Sequence, residues 1–187
     1  VVVRGVARAE VKRGATAAVL GAGTLGLLAL QVLRSRGARV LVVGRTERRL
    51  DLARQLGAEA VHSLAAGPGS APAKRFAGRE GVEIVVETAG TPEAVAEAIE
   101  LARPGGRVVL IGLPHEPSQV HFFRVVRREL TLIGSMIYQD EFPEAMRLLK
   151  EGAVRVEPLV THRFPLEAIH DAFVAHRQPE SIKVAVI

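Results

Sequence analysis

Short apolar runs alternate with stretches of helical period along most of the chain. Thr16–Leu20 (T-A-A-V-L) and Arg39–Val43 (R-V-L-V-V) read as strands; between them, Thr24 to Arg36 reads as a helix with an almost wholly apolar early face. A charged helix from about Thr46 to Leu56 follows, then a third strand at Ala58–His62. Residues 63–81 are rich in Ala, Gly, Pro and Ser and read as loop with one short helix. Val82–Glu87 is the next strand. Thr91-Pro92-Glu93 then supplies an N-cap, a proline at the first helical position and an acid in the first turn. That helix runs to about Ala102 and stops before Pro104-Gly105-Gly106. Arg107–Ile111 (strand), Gln119–Arg128 (helix), Leu130–Ile133 (strand) and the amphipathic helix Asp140–Lys150 complete the alternation. The tail adds a strand near Pro158–His162, a helix Pro165–His176 and a closing strand Ile182–Ile187.

Several of these strands are continuous Val/Ile/Leu runs, the signature of strands buried on both faces. Strand and helix in repeated alternation predict βαβ units with right-handed crossovers, hence a doubly wound α/β fold around a parallel sheet.

Composition narrows the possibilities. The 187 residues are 48% hydrophobic and 24% charged, a mixture that excludes disorder and supports a sizeable core. With no cysteine, the chain holds no disulfide, thiolate nucleophile or cysteine-ligated zinc. Aromatics are only 4%, with no Trp, which argues against stacking platforms for single-stranded nucleic acid. The net charge of +5 is uneven: residues 1–60 carry eleven Lys/Arg against four Asp/Glu, and the rest fourteen against sixteen. With no long basic run, a small anionic ligand is a more economical reading than nucleic acid, which the pI of about 10.4 alone suggests. No segment approaches the roughly 18 apolar residues of a membrane span. The start, Val1-Val2-Val3-Arg4-Gly5, lacks a signal-peptide layout, so a cytoplasmic protein is expected. It also lacks a methionine, pointing to processing or to a piece of a longer protein.

The sharpest motif is Gly21-Ala22-Gly23-Thr24-Leu25-Gly26, placed after a strand and opening a helix, the context that gives G-x-G-x-x-G meaning. Gly21 permits the tight turn, Gly23 lets backbone approach a pyrophosphate, and Gly26 lets helix pack on strand. The helix N-terminus offers free N–H groups to phosphate. An NAD site wants a carboxylate at the end of the second strand, but here the chain reads Val43-Gly44-Arg45-Thr46. Arg45, with the Thr46 hydroxyl and Arg49, suits a 2′-phosphate, whereas Arg48 reads as a solvated helix charge. Charge-assisted hydrogen bonds of about 1.5–3 kcal/mol each would favour NADP over NAD by roughly ten- to a thousandfold. Later strand ends, Glu87-Thr88-Ala89-Gly90, Gly112-Leu113 and Gly134-Ser135, should converge on the same crevice, with ordinary turn chemistry the competing account. The histidines show no metal-ligand spacing. His115 and His121 lie toward the crevice without a partner that would make either a base.

The succession G-A-G-T-L-G-L-L-A-L-Q, V-V-G-R-T, E-T-A-G-T, R-P-G-G-R-V-V-L-I-G-L-P and R-E-L-T-L-I-G-S-M resembles the medium-chain dehydrogenase/reductase superfamily. With the tail P-L-V-T-H-R-F-P-L-E it is most similar to the zinc-dependent alcohol, polyol and threonine dehydrogenase branch. The resemblance implies a Rossmann domain over 1–153 and, over 154–187, a C-terminal segment that would return to a catalytic domain absent from this chain. It implies an NAD(P)-dependent oxidoreductase interconverting alcohol and carbonyl, with NADP favoured and NAD the alternative. By position, Gly21 to Gly26 would bind pyrophosphate, Arg45 and Thr46 the adenosine ribose, and Ala89, Gly112, Leu113 and Ser135 the nicotinamide half. Lys183 matches a position where a basic side chain reaches the cofactor phosphates; a solvated terminal lysine competes with that reading. Zinc is expected only in the missing domain, leaving this chain able to bind cofactor but not to turn over alcohol. A zinc-free enoyl or quinone reductase of the same superfamily and a non-catalytic dinucleotide sensor are the other readings. Pairing into a homo-oligomer through a sheet edge is a further implication of the resemblance.

Overall fold

A computed structural model describes residues 1–78 and 80–187; Arg79, inside the stretch read as loop, lies outside them. In chain order the elements are α1 Val2–Arg8, β1 Thr16–Leu20, α2 Thr24–Ser35, β2 Arg39–Gly44, α3 Glu47–Gln55 and β3 Ala60–Ser63. Then come α4 Ser70–Ala77, β4 Val82–Glu87, α5 Pro92–Leu101, β5 Ala102–Leu110, α6 Phe122–Arg127, β6 Thr131–Gly134 and α7 Phe142–Lys150. The tail holds β7 Val160–Phe164, α8 Ile169–His176 and β8 Lys183–Val186.

β1 to β6 form one parallel sheet in the order β3-β2-β1-β4-β5-β6. The winding reverses between β1 and β4, and that reversal creates a crevice at the carboxyl edge. The expected doubly wound sheet is therefore present. The alternation of side chains along each strand feeds two separate cores. Ala17, Val19, Val40, Val42, Ile84, Val86 and Val109 face α1, α2, α3 and α7. Ala18, Leu20, Leu41, Val43, Val85 and Val108 face α4 and α5. Leu20, Leu27, Leu30, Leu33 and Leu41 are fully buried, each contributing about 1.5–3 kcal/mol of transfer free energy. Aliphatic packing suffices because both sheet faces are covered. Among the described residues, no helix is long and apolar enough to cross a membrane.

The start of α5 is as the sequence predicts: Thr91 Oγ1 accepts from Ala94 N at 3.3 Å, with Pro92 in the first turn. Elsewhere the boundaries shift. Residues 63–78 are more regular than their composition suggests, with a 3₁₀ turn at Leu64–Ala66 and α4 ended by Gly78 at φ 102°. The small residues that suggested loop let α4 approach the sheet and bury Ala73. β5 opens early, at Ala102, and the pairing shifts from Val82–Ala102 to Ile84–Arg107, so Pro104-Gly105-Gly106 bulges out rather than preceding the strand. The helix expected over 119–128 contracts to α6, leaving Val120 outside it to pack on the core. The helix expected over 165–176 begins as a 3₁₀ turn, Leu166–Ala168, before α8. The last two strands do not join the main sheet. They pair with each other in parallel.

Candidate dinucleotide site at the sheet switch point

A cavity of about 700 Å³ lies over the carboxyl ends of β1, β2 and β4. Its floor is the glycine turn. Gly21 sits at φ 108°, and a Cβ there would stand 2.7 Å from Thr88 Oγ1 and 3.1 Å from Ala89 N. A Cβ at Gly26 would collide with the Gly21 carbonyl, so α2 approaches the strand only because residue 26 has no side chain. Gly23 differs. A Cβ there would meet nothing within 4 Å, so its backbone faces open space. Gly23 also N-caps α2 with no side-chain cap, leaving the first N–H groups of the helix for a ligand. That arrangement fits a pyrophosphate.

Arg45, Thr46 and Arg49 form the wall beyond β2. Gly44 lies beneath them because a Cβ would crowd Ala22 Cβ at 3.0 Å and Leu50 Cδ2 at 3.2 Å. Arg45 is exposed, whereas Arg49 is half-buried, donates from Nη2 to the Ser181 carbonyl, and keeps a buried Nε without a partner among the described residues. The opposite wall was not read from the sequence. It comprises Leu64, Gly67 and Pro68 after β3, with Thr91, Glu93, Ala94 and Glu97 of the α5 start. Glu97 accepts from Gly69 N and pins that loop. The Thr91 cap and Glu93/Glu97 spacing were the available signals, since they place one acidic helical face at the crevice.

Of the residues singled out from the sequence, Gly21, Ala22, Gly23, Gly44, Arg45, Thr46, Arg49, Thr88 and Ala89 line this cavity. The Thr88 hydroxyl is engaged in structure, donating to the Leu20 and Gly21 carbonyls at 3.0 and 3.3 Å. Thr24, Leu25, Gly26, Gly90, Gly112, Leu113, Ser135 and Lys183 do not line it. Thr24 Oγ1 donates instead to the Ile182 carbonyl at 2.7 Å. Leu25 packs among apolar side chains between α1, α2 and α7. Gly90, at φ 67°, lies against Leu113, where a Cβ would stand 2.9 Å from Leu113 N. Ser135 is buried with an unpartnered hydroxyl near Gly5 of α1. Lys183 is exposed at the start of β8, directly after the residue that Thr24 holds.

Glu87 is a further residue of the site's framework. It is fully buried at the end of β4, and its Oε1 accepts from Ala89 N at 2.6 Å and Gly90 N at 2.8 Å, while Oε2 makes no hydrogen bond among the described residues. Burial pushes its carboxyl above the usual range, against the opposing pull of the backbone N–H groups. The acid ending an otherwise apolar strand was visible in the sequence, but not its inward direction.

Among the described residues, no three His, Cys, Asp or Glu side chains are grouped to hold a metal ion, so these residues do not fit a zinc site.

A parallel sheet in this order, with a glycine turn at its switch point, defines an α/β fold of the dinucleotide-binding class. The zinc-binding dehydrogenase family profile matches residues 24–151, and the chain belongs to that family, within the medium-chain dehydrogenase/reductase superfamily. It is 31% identical to L-threonine 3-dehydrogenase of Bacillus licheniformis over 179 residues, 93% of this chain and 51% of that protein. Human sorbitol dehydrogenase is 32% identical over 180 residues, 95% of this chain and 50% of that protein. A structure of a zinc-binding dehydrogenase from Sinorhizobium meliloti 1021 bound to NADP matches with a TM-score of 0.93 at 31% identity, covering all of this chain and 56% of that one. The chain thus spans about half the length of the curated relatives it matches.

Proposed function

We propose that this chain is the cofactor-binding part of an oxidoreductase that passes a hydride between an alcohol or carbonyl substrate and NADP. The carrying observation is the combination of open backbone at Gly23 with Arg45 and Arg49 at the far end of one cavity. Bound nicotinamide supplies the hydride-accepting or hydride-donating ring. In this reading the chain's own residues bind and orient it. The α2 N-terminus and the Gly21–Gly23 backbone take the pyrophosphate, and the two arginines take the 2′-phosphate of the adenosine ribose. Gly44, where an NAD site would place a carboxylate, leaves that phosphate unopposed on this wall. Relatives named threonine and sorbitol dehydrogenases and a structural match bound to NADP support the reading.

Residues 154–187 are proposed as the segment that joins a catalytic domain contributing the zinc. Leu166, Phe173 and Ile187 support this, each being at least 65% exposed in the chain alone. By itself the chain is then expected to bind cofactor without oxidising alcohol. Calorimetric titration with NADPH and, separately, NADH tests the reading. NADPH is expected to bind at least tenfold more tightly, and Arg45→Ala to remove most of that margin, as loss of a charge-assisted contact of about 1.5–3 kcal/mol requires. Equal binding of the two cofactors, unchanged by Arg45→Ala, would refute the NADP assignment.

A further inference from the structure

We propose that Ser181 is a positioning residue that sets the preference for a 2′-phosphorylated adenosine, acting through Arg49. The proposal rests on the NADP reading above and extends it to a residue 132 positions from Arg49 in the chain. Among the described residues, the Arg49 side chain makes one hydrogen bond, from Nη2 to the Ser181 carbonyl, and its buried Nε has no acceptor. A guanidinium fixed at one nitrogen, on the wall of a cavity, is presented for an oxygen that arrives with the ligand. How well it is presented depends on how firmly the Ser181 carbonyl is held.

That carbonyl is held from behind by side chains. Ser181 is 4% exposed; its Oγ donates to the Ala175 carbonyl in α8 and lies 3.2 Å from His162 Nδ1 in β7. The next residue is clamped on both sides, Ile182 N donating to Thr161 Oγ1 at 3.1 Å and Ile182 O accepting from Thr24 Oγ1 at 2.7 Å. The C-terminal unit is therefore fastened to the glycine turn through Thr24 and to the arginine wall through Arg49. A ligand group is held in productive geometry only when the residues behind it are themselves locked. Ser181 is the residue whose hydroxyl does the locking and whose carbonyl meets the arginine.

The test is a calorimetric comparison of NADPH and NADH on the 187-residue chain, its Ser181→Ala, Ser181→Thr and Arg49→Gln variants, and the Ser181→Ala/Arg49→Gln pair. Ser181→Ala is expected to weaken NADPH binding three- to tenfold and to leave NADH within twofold, with Ser181→Thr restoring most of the loss. In the Arg49→Gln background, Ser181→Ala should change NADPH binding no further, because the residue that transmits its effect is gone. Equal weakening of both cofactors by Ser181→Ala would make its role structural and overturn the proposal. So would unchanged NADPH binding while Arg49→Gln weakens it, which leaves the NADP reading standing. If the unmodified chain does not distinguish the cofactors, the NADP reading fails and this proposal fails with it.

Discussion

The two halves of the crevice differ in how completely this chain builds them. Over β1, β2 and β4 there is a cavity with a defined floor, two arginines on one wall and two glutamates on the other. Over the ends of β5 and β6, beyond the buried Ile111 and Ser135, the chain lies open: Leu113, Met136 and Tyr138 are each more than half exposed. Ile137 there takes φ 50°, a left-handed backbone that a β-branched residue adopts only under strain. A floor of glycine and buried strand ends can be completed by one βαβ unit, whereas an apolar, strained rim calls for something packed against it. In the proposed reading these are the adenosine and nicotinamide halves. On that reading the chain binds the adenosine end of the cofactor in a built cavity and leaves the nicotinamide end on an open surface.

The comparison breaks first at the glycine turn. Gly26→Ala places a Cβ on the Gly21 carbonyl and is expected to cost about 3 kcal/mol or more of stability, read as a large fall in Tm. Gly23→Ala, in open space, should leave Tm nearly unchanged yet weaken NADPH binding by roughly tenfold or more, because the new methyl occupies the phosphate's approach. A Tm loss at Gly23 matching that at Gly26 would mean that the turn is structural only.

A smaller effect is expected at Glu87, which joins the two halves by gripping Ala89 and Gly90. Its carboxyl is raised by burial, so its contribution to stability is fully present below the usual carboxylate range and lost as pH rises through the raised value. Glu87→Gln keeps an oxygen for both N–H groups and removes the buried charge. The variant should therefore gain on the parent in Tm as pH climbs above the usual carboxylate range. A gain independent of pH would place the effect in packing rather than ionisation. The smallest effect is expected at the open half: Leu113→Ala should leave Tm nearly unchanged, because a side chain 59% exposed in this chain has little packing to lose.

Much of the fold was legible because its signals are local. β1 and β4 fall where the apolar runs predict, and the Thr91-Pro92-Glu93 start of α5 is capped as its residue types require. α4 was less visible, since its stability comes from Ala73 buried against a sheet that the local sequence does not display. At the site, the glycine turn and the Gly44-Arg45-Thr46 step were readable from spacing alone. The second wall, from Leu64 to Pro68 and from Thr91 to Glu97, was not, because it arises from bringing the end of β3 opposite the start of α5.

By itself, then, the sequence determined the alternation of strand and helix, the glycine floor of the crevice and the basic end of its wall, since each depends on neighbours a few residues apart. Only the tertiary structure decided that Ser135 is buried beside Gly5, that Glu87 points inward, and that Ser181 and Ile182 grip Arg49 and Thr24. Those contacts join residues up to 158 positions apart. The period of a strand says which residues share a face; the crossovers say which distant face they meet.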